Sequence, residues 1–173
     1  LPEIEKFEHA WNIQNWNLSK DLPLEAKLDA TEKKLSALGA SESAWIDAWN
    51  EFVLLYKDAH PGENLPGFPI WADEWVHIDE LKIPRGTPAW KENFLIKNAE
   101  FYTKNKKLID KWLKKHNNLE SFPPSRRKLE WQAQDAKSLT ETIMHFRPSG
   151  IRAKKATYVP ALVAITQTSI LGK

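Results

Sequence analysis

The stretch Ser125-Arg-Arg-Lys-Leu-Glu-Trp-Gln-Ala-Gln-Asp-Ala-Lys-Ser-Leu-Thr-Glu-Thr-Ile-Met-His145 decides the fold class. It follows Phe122-Pro123-Pro124, a rigid turn that cannot be helical throughout. It is halted by Pro148 and Gly150. Read as a helix from about Arg126 or Lys128 to His145, it makes the chain mainly α, with a small β element near the C-terminus. That β element is the segment from Ile151 to Ile170, rich in β-branched residues and suited to two short strands around Pro160.

Working outward, the segment before the turn predicts a long helix that opens at Thr87-Pro88, a hydroxyl cap followed by proline, and runs to about His116. Phe94, Phe101, Leu108 and Trp112 mark its buried stripe, and Lys104, Lys106, Lys107, Lys111, Lys114 and Lys115 crowd its C-terminal half. Residues 61–89 read as a loop, rich in Pro and Gly, whose many aromatics imply close packing on the helices. Further upstream, Ser41-Glu-Ser43 caps a helix with Trp45, Ala48, Trp49, Phe52, Val53 and Tyr56 on one face. Two earlier helices are predicted, one from Pro2 to about Trp16 and one from Asp21 to Gly39.

The 173 residues, 42% hydrophobic and 28% charged, suit one globular domain. No apolar run approaches the roughly 20 residues that span a bilayer. No basic-then-apolar leader opens the chain, so a cytoplasmic protein without a membrane partner is the simplest expectation. The only methionine is Met144, which reads as a piece of something larger. The net charge of +2 conceals two halves. Residues 1–80 hold 6 Lys and 16 acidic residues, net −10, and residues 81–173 hold 19 Lys and Arg against 7 acidic residues, net +12. We therefore divide the single domain into an acidic helical and aromatic-loop scaffold, 1–86, and a basic part, 87–173, that faces a polyanion. For the lysine-rich helix alone, a solvated face is an equal alternative.

Enzymatic motifs are missing. The six glycines are scattered singly, the five histidines lie in unrelated contexts, and the chain has no cysteine. No phosphate loop, nucleophile elbow or zinc helix is present, and a thiolate nucleophile is excluded. Asp73, Glu74, Asp79 and Glu80 flank Trp75 and His77 and read as a charged rim rather than an acid–base pair.

Nucleic-acid chemistry fits better. Arg126, Arg127 and Lys128 stand beside Trp131, Gln132 and Gln134, and such cations and amides contact phosphates and base edges. Trp131 is either a stacking platform or a buried anchor. In Phe146-Arg-Pro-Ser-Gly-Ile-Arg-Ala-Lys-Lys155, the cations Arg147, Arg152, Lys154 and Lys155 alternate with Ser149 and Gly150, and Thr157 and Tyr158 follow. Gln167, Thr168 and Ser169 are a polar strand end or a reading element. Two other readings compete with duplex binding. One is a helical protein-interaction module built on the acidic, tryptophan-rich 41–80 region, and the other a single-strand binder stacking bases on Trp131 and Tyr158.

Three stretches carry a resemblance: Ser125-Arg-Arg-Lys-Leu-Glu-Trp-Gln-Ala-Gln-Asp135, Phe146-Arg-Pro-Ser-Gly-Ile-Arg152, and Thr157-Tyr-Val-Pro-Ala-Leu-Val-Ala-Ile-Thr-Gln-Thr-Ser-Ile-Leu-Gly172. Together they resemble the target-recognition region of bacterial DNA cytosine-5 methyltransferases, the modification enzymes of restriction-modification systems. The likeness covers about 120–173 and weakens over 87–119. It implies sequence-specific double-stranded DNA as partner, with the catalytic domain and S-adenosylmethionine belonging to the parent enzyme and no cofactor in this fragment. The family's Pro-Cys loop and cofactor-binding glycine motif do not occur here. Where many members carry Thr-Leu the chain has Ala161-Leu162, so a threonine contact there does not carry over. By this resemblance catalysis lies outside the chain.

Overall fold

A computed structural model describes residues 29–156 and 168–171. The predicted helix from Pro2 to Trp16 and the beginning of the next lie outside the described residues, as do Thr157, Tyr158, Pro160 and Gln167.

Three helices precede most of the sheet. Helix α1 (Ala30–Ser36) has a reciprocal cap: the Asp29 carboxylate accepts from the backbone N–H groups of Thr31 and Glu32, and Glu32 accepts from the Asp29 N–H at 2.9 Å. Helix α2 (Ala40–Ala59) starts one residue before the expected serine cap, because Glu42 reaches back to accept from the Gly39 N–H at 2.9 Å. Its apolar face buries Ile46, Ala48, Trp49, Phe52, Val53 and Tyr56, close to the predicted stripe. Helix α3 (Ala89–Lys115) starts one residue later than the expected cap implies: Pro88 is the N-cap with extended backbone, and Thr87 donates its hydroxyl to the Pro84 carbonyl at 2.7 Å instead of capping the helix. The helix buries Leu95, Asn98, Ala99, Phe101, Asn105, Ile109 and Trp112.

The aromatic loop before α3 folds down on the helices. Trp75 stacks on Phe52 with ring centroids 5.7 Å apart, and Phe52 meets Trp112 edge to face at 5.0 Å. The loop also contributes a strand, β1 (Ile70–Trp71), that periodicity does not reveal. Buried Asn98 of α3 holds it, accepting from the Trp71 N–H at 2.8 Å and donating to the Pro69 carbonyl at 3.1 Å.

The expectation of a mainly α chain is overturned between 126 and 147. Where a helix was predicted, the chain forms β2 (Lys128–Gln132) and β3 (Thr142–Arg147), followed by β4 (Gly150–Lys155) and β5 (Thr168–Leu171). The strands make one five-stranded mixed sheet in the order β1-β2-β4-β3-β5. The described residues are therefore α+β, with two long helices against a sheet. The physical reason is a period of two: Leu129, Trp131 and Ala133 are buried, while Glu130 and Gln132 between them are half-buried and exposed and Gln134 after them is exposed. Gln134, at φ +49°, then ends the extended run. Strand β3 is buried at every position from Thr142 to Phe146, so it shows no alternation at all.

Register completes the architecture. β2 and β4 run parallel, with Leu129 beside Ile151 and Trp131 beside Ala153. β3 and β4 form an antiparallel hairpin that pairs Met144 with Ala153 and Phe146 with Ile151. These residues share the face turned to the helices, where Trp49, fully buried, donates its indole N–H to the Arg126 carbonyl at 2.8 Å. That bond ties α2 to the turn that launches β2. Gly150 closes the hairpin at φ +137°, and a Cβ there would stand 3.1 Å from the Lys128 carbonyl oxygen. Only glycine lets β4 lie this close to the start of β2.

Candidate nucleic-acid interface

Strand alternation that sends Leu129 and Trp131 inward sends Lys128, Glu130 and Gln132 to the opposite face of the sheet. Register then assembles neighbours around them. Arg152 stands beside Glu130 and Lys154 beside Gln132 on β4. On β3, His145 pairs with Arg152 and Arg147 with Gly150, and on β5 Ser169 pairs with His145. Predicted residues from three separate stretches, on β2, β3 and β4, thus meet on one outer face. Thr168 pairs with Phe146.

Glu130 is the hub. Its Oε2 accepts from Arg147 Nη2, and its Oε1 accepts from the Gln132 side-chain amide. Arg152 Nε lies 3.0 Å from Oε1, close enough for ion pairing, but its N–H is not aimed at the carboxylate and makes no hydrogen bond. Arg147 Nε is likewise buried without a hydrogen-bond partner among the described residues. The side chains of Glu130, Arg147 and Arg152 are 15%, 17% and 28% exposed, so the charges are partly withdrawn from water and interact strongly. Beside them Lys128 lays its ammonium 4.2 Å from the Trp71 ring. Burial pulls the Lys128 ammonium below its ordinary pKa, with Glu130 opposing that shift and Arg147 adding to it.

Other predicted contacts serve the fold. The Arg126 guanidinium lies over the rings of Phe146 and Trp45, 4.8 and 5.2 Å from their centroids, and donates to the Arg147 carbonyl at 2.9 Å. Burial lowers its pKa from the ordinary arginine value. Arg127 donates to the Phe122 carbonyl at 2.8 Å and pairs with Asp73 at 3.1 Å. Trp131 corrects the stacking-platform reading: it is 3% exposed, with its indole N–H given to the Gln134 carbonyl, so it presents no ring to a base. Lys155 pairs with Asp135 at 2.6 Å and holds that carboxyl below its usual range. Ser149 is exposed at the hairpin tip.

The lysines of α3 form a separate exposed surface. Lys106 pairs with Asp110, Lys115 with Glu51 at 2.7 Å, and Lys104 lies 3.6 Å from Glu63. Glu130 is the member of the outer face that sequence reasoning missed. Its signal was available as a lone acid two positions after three consecutive cations, at strand spacing from Lys128. Among the described residues no cluster of His, Asp and Glu could hold a metal ion, and no helix is long and apolar enough to cross a membrane.

No family model matches the chain, and no solved structure matches it significantly. A curated relative does. The chain is 40% identical to the Type II methyltransferase M.AluI of Cellulosimicrobium cellulans over 177 aligned positions, which take in 78% of this chain and 34% of the relative. The chain spans about a third of the length of that enzyme. By sequence, then, it is related to a region of a Type II methyltransferase of the restriction-modification kind.

Proposed function

We propose that this chain is the DNA-holding and sequence-reading part of a DNA cytosine-5 methyltransferase, and that methyl transfer is carried out elsewhere in such an enzyme. The observation that carries the reading is the outer sheet face, where Lys128, Gln132, Arg147, Arg152 and Lys154 are brought together by register from separate segments. Lysine and arginine neutralise phosphates, whereas arginine forks and amides discriminate base edges. The face supplies both, on a rigid sheet.

Catalysis is assigned elsewhere on chemical grounds. Methylation at cytosine C5 proceeds through a thiolate that adds to the ring and activates C5, and this chain has no cysteine. S-adenosylmethionine, which supplies the methyl group, is assigned to the same catalytic part. The glycines in the left-handed region, Gly62, Gly86 and Gly150, sit in turns, and none joins a strand to the start of a helix. What these residues do instead is bind the duplex and fix its register while the target cytosine leaves the stack.

The rival readings gain less support. A single-strand binder loses Trp131 as a platform. A protein-interaction module would expose apolar surface on 61–80, yet the large exposed hydrophobic residues among those described are Leu38, Leu54 and Trp90.

The test is fluorescence anisotropy with a labelled random-sequence duplex across a salt series. Binding that weakens steeply and linearly in log–log form as salt rises is expected, micromolar or weaker at physiological salt. Absence of binding at low salt, or binding indifferent to salt, would rule the face out.

A further inference from the structure

Glu130 places an acid at the centre of a face otherwise suited to a polyanion, and simple charge complementarity gives no reason for it. Against DNA, a carboxylate two residues from Lys128 and in register with Arg152 reduces attraction to phosphate. Its geometry shows what it does instead. One carboxylate holds Arg147 through Nη2, stands against Arg152 Nε, and takes the Gln132 amide. Two guanidinium groups and one amide are thereby fixed relative to each other on three strand positions. All three are side chains able to read bases.

The cluster is left short of acceptors. Among the described residues two guanidinium groups face one carboxylate, so an excess positive charge stays partly buried. Partly buried positive charge in excess of its counter-charge is costly, and an incoming pair of acceptors relieves it. The pair of acceptors that an arginine fork fits in the major groove is O6 and N7 of guanine. Holding that fork in place beforehand removes the ordering cost otherwise borne on binding.

We infer that Glu130 is a positioning residue: it pre-orients Arg147 and Arg152 to read a guanine edge, exchanging general affinity for DNA for discrimination between sequences. This rests on the DNA-reading function proposed above. It makes a prediction of opposite sign for two quantities. Removing the charge should tighten binding to arbitrary DNA, because one repulsive group is gone, and at the same time should loosen the choice between sequences, because the forks are no longer held.

The experiment uses the purified chain, a randomised duplex library to select its best site, and titrations against that site and a scrambled duplex. Relative to wild type, Glu130→Gln should tighten affinity for the scrambled duplex a few-fold, while the ratio between site and scramble falls about tenfold, the equivalent of one lost base contact. Arg152→Lys keeps the charge and loses the fork, so it should lower the ratio comparably. Glu130→Asp keeps the charge but withdraws the carboxylate by one methylene, and should also lower the ratio. An unchanged ratio in Glu130→Gln, or an equal loss on both duplexes, overturns the inference, and circular dichroism identifies any variant that has unfolded. If Glu130→Gln unfolds, Arg152→Lys decides: an unchanged ratio there overturns the inference equally. Failure of the wild-type chain to bind either duplex is a different result, which refutes the DNA-reading function itself.

Discussion

The two faces of one sheet divide the labour of this molecule. On the face turned to α2 and α3, Leu129, Trp131, Met144, Phe146, Ile151 and Ala153 are buried to within a few per cent of completely, and their role is volume. On the opposite face the same strands carry Lys128, Glu130, Gln132, Arg147 and Arg152, and their role is charge and hydrogen bonding. The arginines show the difference most sharply. Arg126, at the end of the turn before β2, is held by aromatic rings and a carbonyl oxygen, whereas Arg147 and Arg152 are gathered around a carboxylate. Residue type alone says nothing about which task an arginine has, because the pleat assigns it.

The apolar face is the easier of the two to disrupt. Trp49→Ala, at the centre of the core and hydrogen-bonded to the turn before β2, should cost about 3–5 kcal/mol, read as a fall in the urea midpoint. Gln132→Ala on the other face should stay within about 0.5 kcal/mol. Equal losses would mean that the outer face is also core.

Arg126→Ala is the next largest. It leaves the Phe146 and Trp45 rings uncovered and the Arg147 carbonyl without its donor, so a destabilisation of about 1–3 kcal/mol is expected. The site-to-scramble ratio in DNA binding should not move. A changed ratio with unchanged stability would place Arg126 in the interface.

Smaller effects sharpen the outer face itself. Replacing Lys154 with alanine should weaken every duplex alike and reduce the salt slope by about one unit, as loss of a single phosphate contact does. A sequence-dependent effect would make it a reader. The smallest effect concerns Glu51 on α2. The Lys115 ammonium, and after it the His116 ring, hold the Glu51 carboxyl below its ordinary pKa, against the opposing effect of burial. Because the folded value is depressed, its stabilisation is fully present above the unfolded pKa and disappears as pH falls through the folded one. Thermal melts from pH 7 down to pH 3 should therefore fall less steeply in Glu51→Gln than in wild type, with affinity for DNA unchanged.

Much of the helical layer could be read from sequence. Pro88 and the stripe from Trp45 to Tyr56 announce α3 and α2, because a proline marks a helix boundary and a 3.6-residue period is a local signal, although Thr87 does not supply the expected cap. The sheet was misread for reasons that are also physical. Residues 126–141 are full of Lys, Glu, Gln and Ala, good helix formers, and strand pairing overrides that preference. The alternation Leu129, Trp131, Ala133 was present but short. β1 has two residues, too few for any period, and exists because Asn98 and β2 supply partners. Most candidate residues of the outer face were found by charge, whereas their grouping depends on the parallel register of β2 with β4, which no local pattern encodes.

That parallel register has a consequence for the order of folding. The β3–β4 hairpin closes over the short Pro148-Ser149 connection, so it can form within microseconds from neighbouring residues. β2 cannot pair with β4 until the hairpin has offered it an edge, since β4 lies between β2 and β3. Pairing of Ile70 with Leu129 must in addition close the whole segment that contains α3. Assembly should then run from the hairpin to β2 and last to β1. Substitutions in β1 would mainly accelerate unfolding, and those in the hairpin would slow folding. On this order the cluster around Glu130 is completed late, at the step where β2 docks, and nascent chains acquire the arginines' common partner only once the sheet has closed around it.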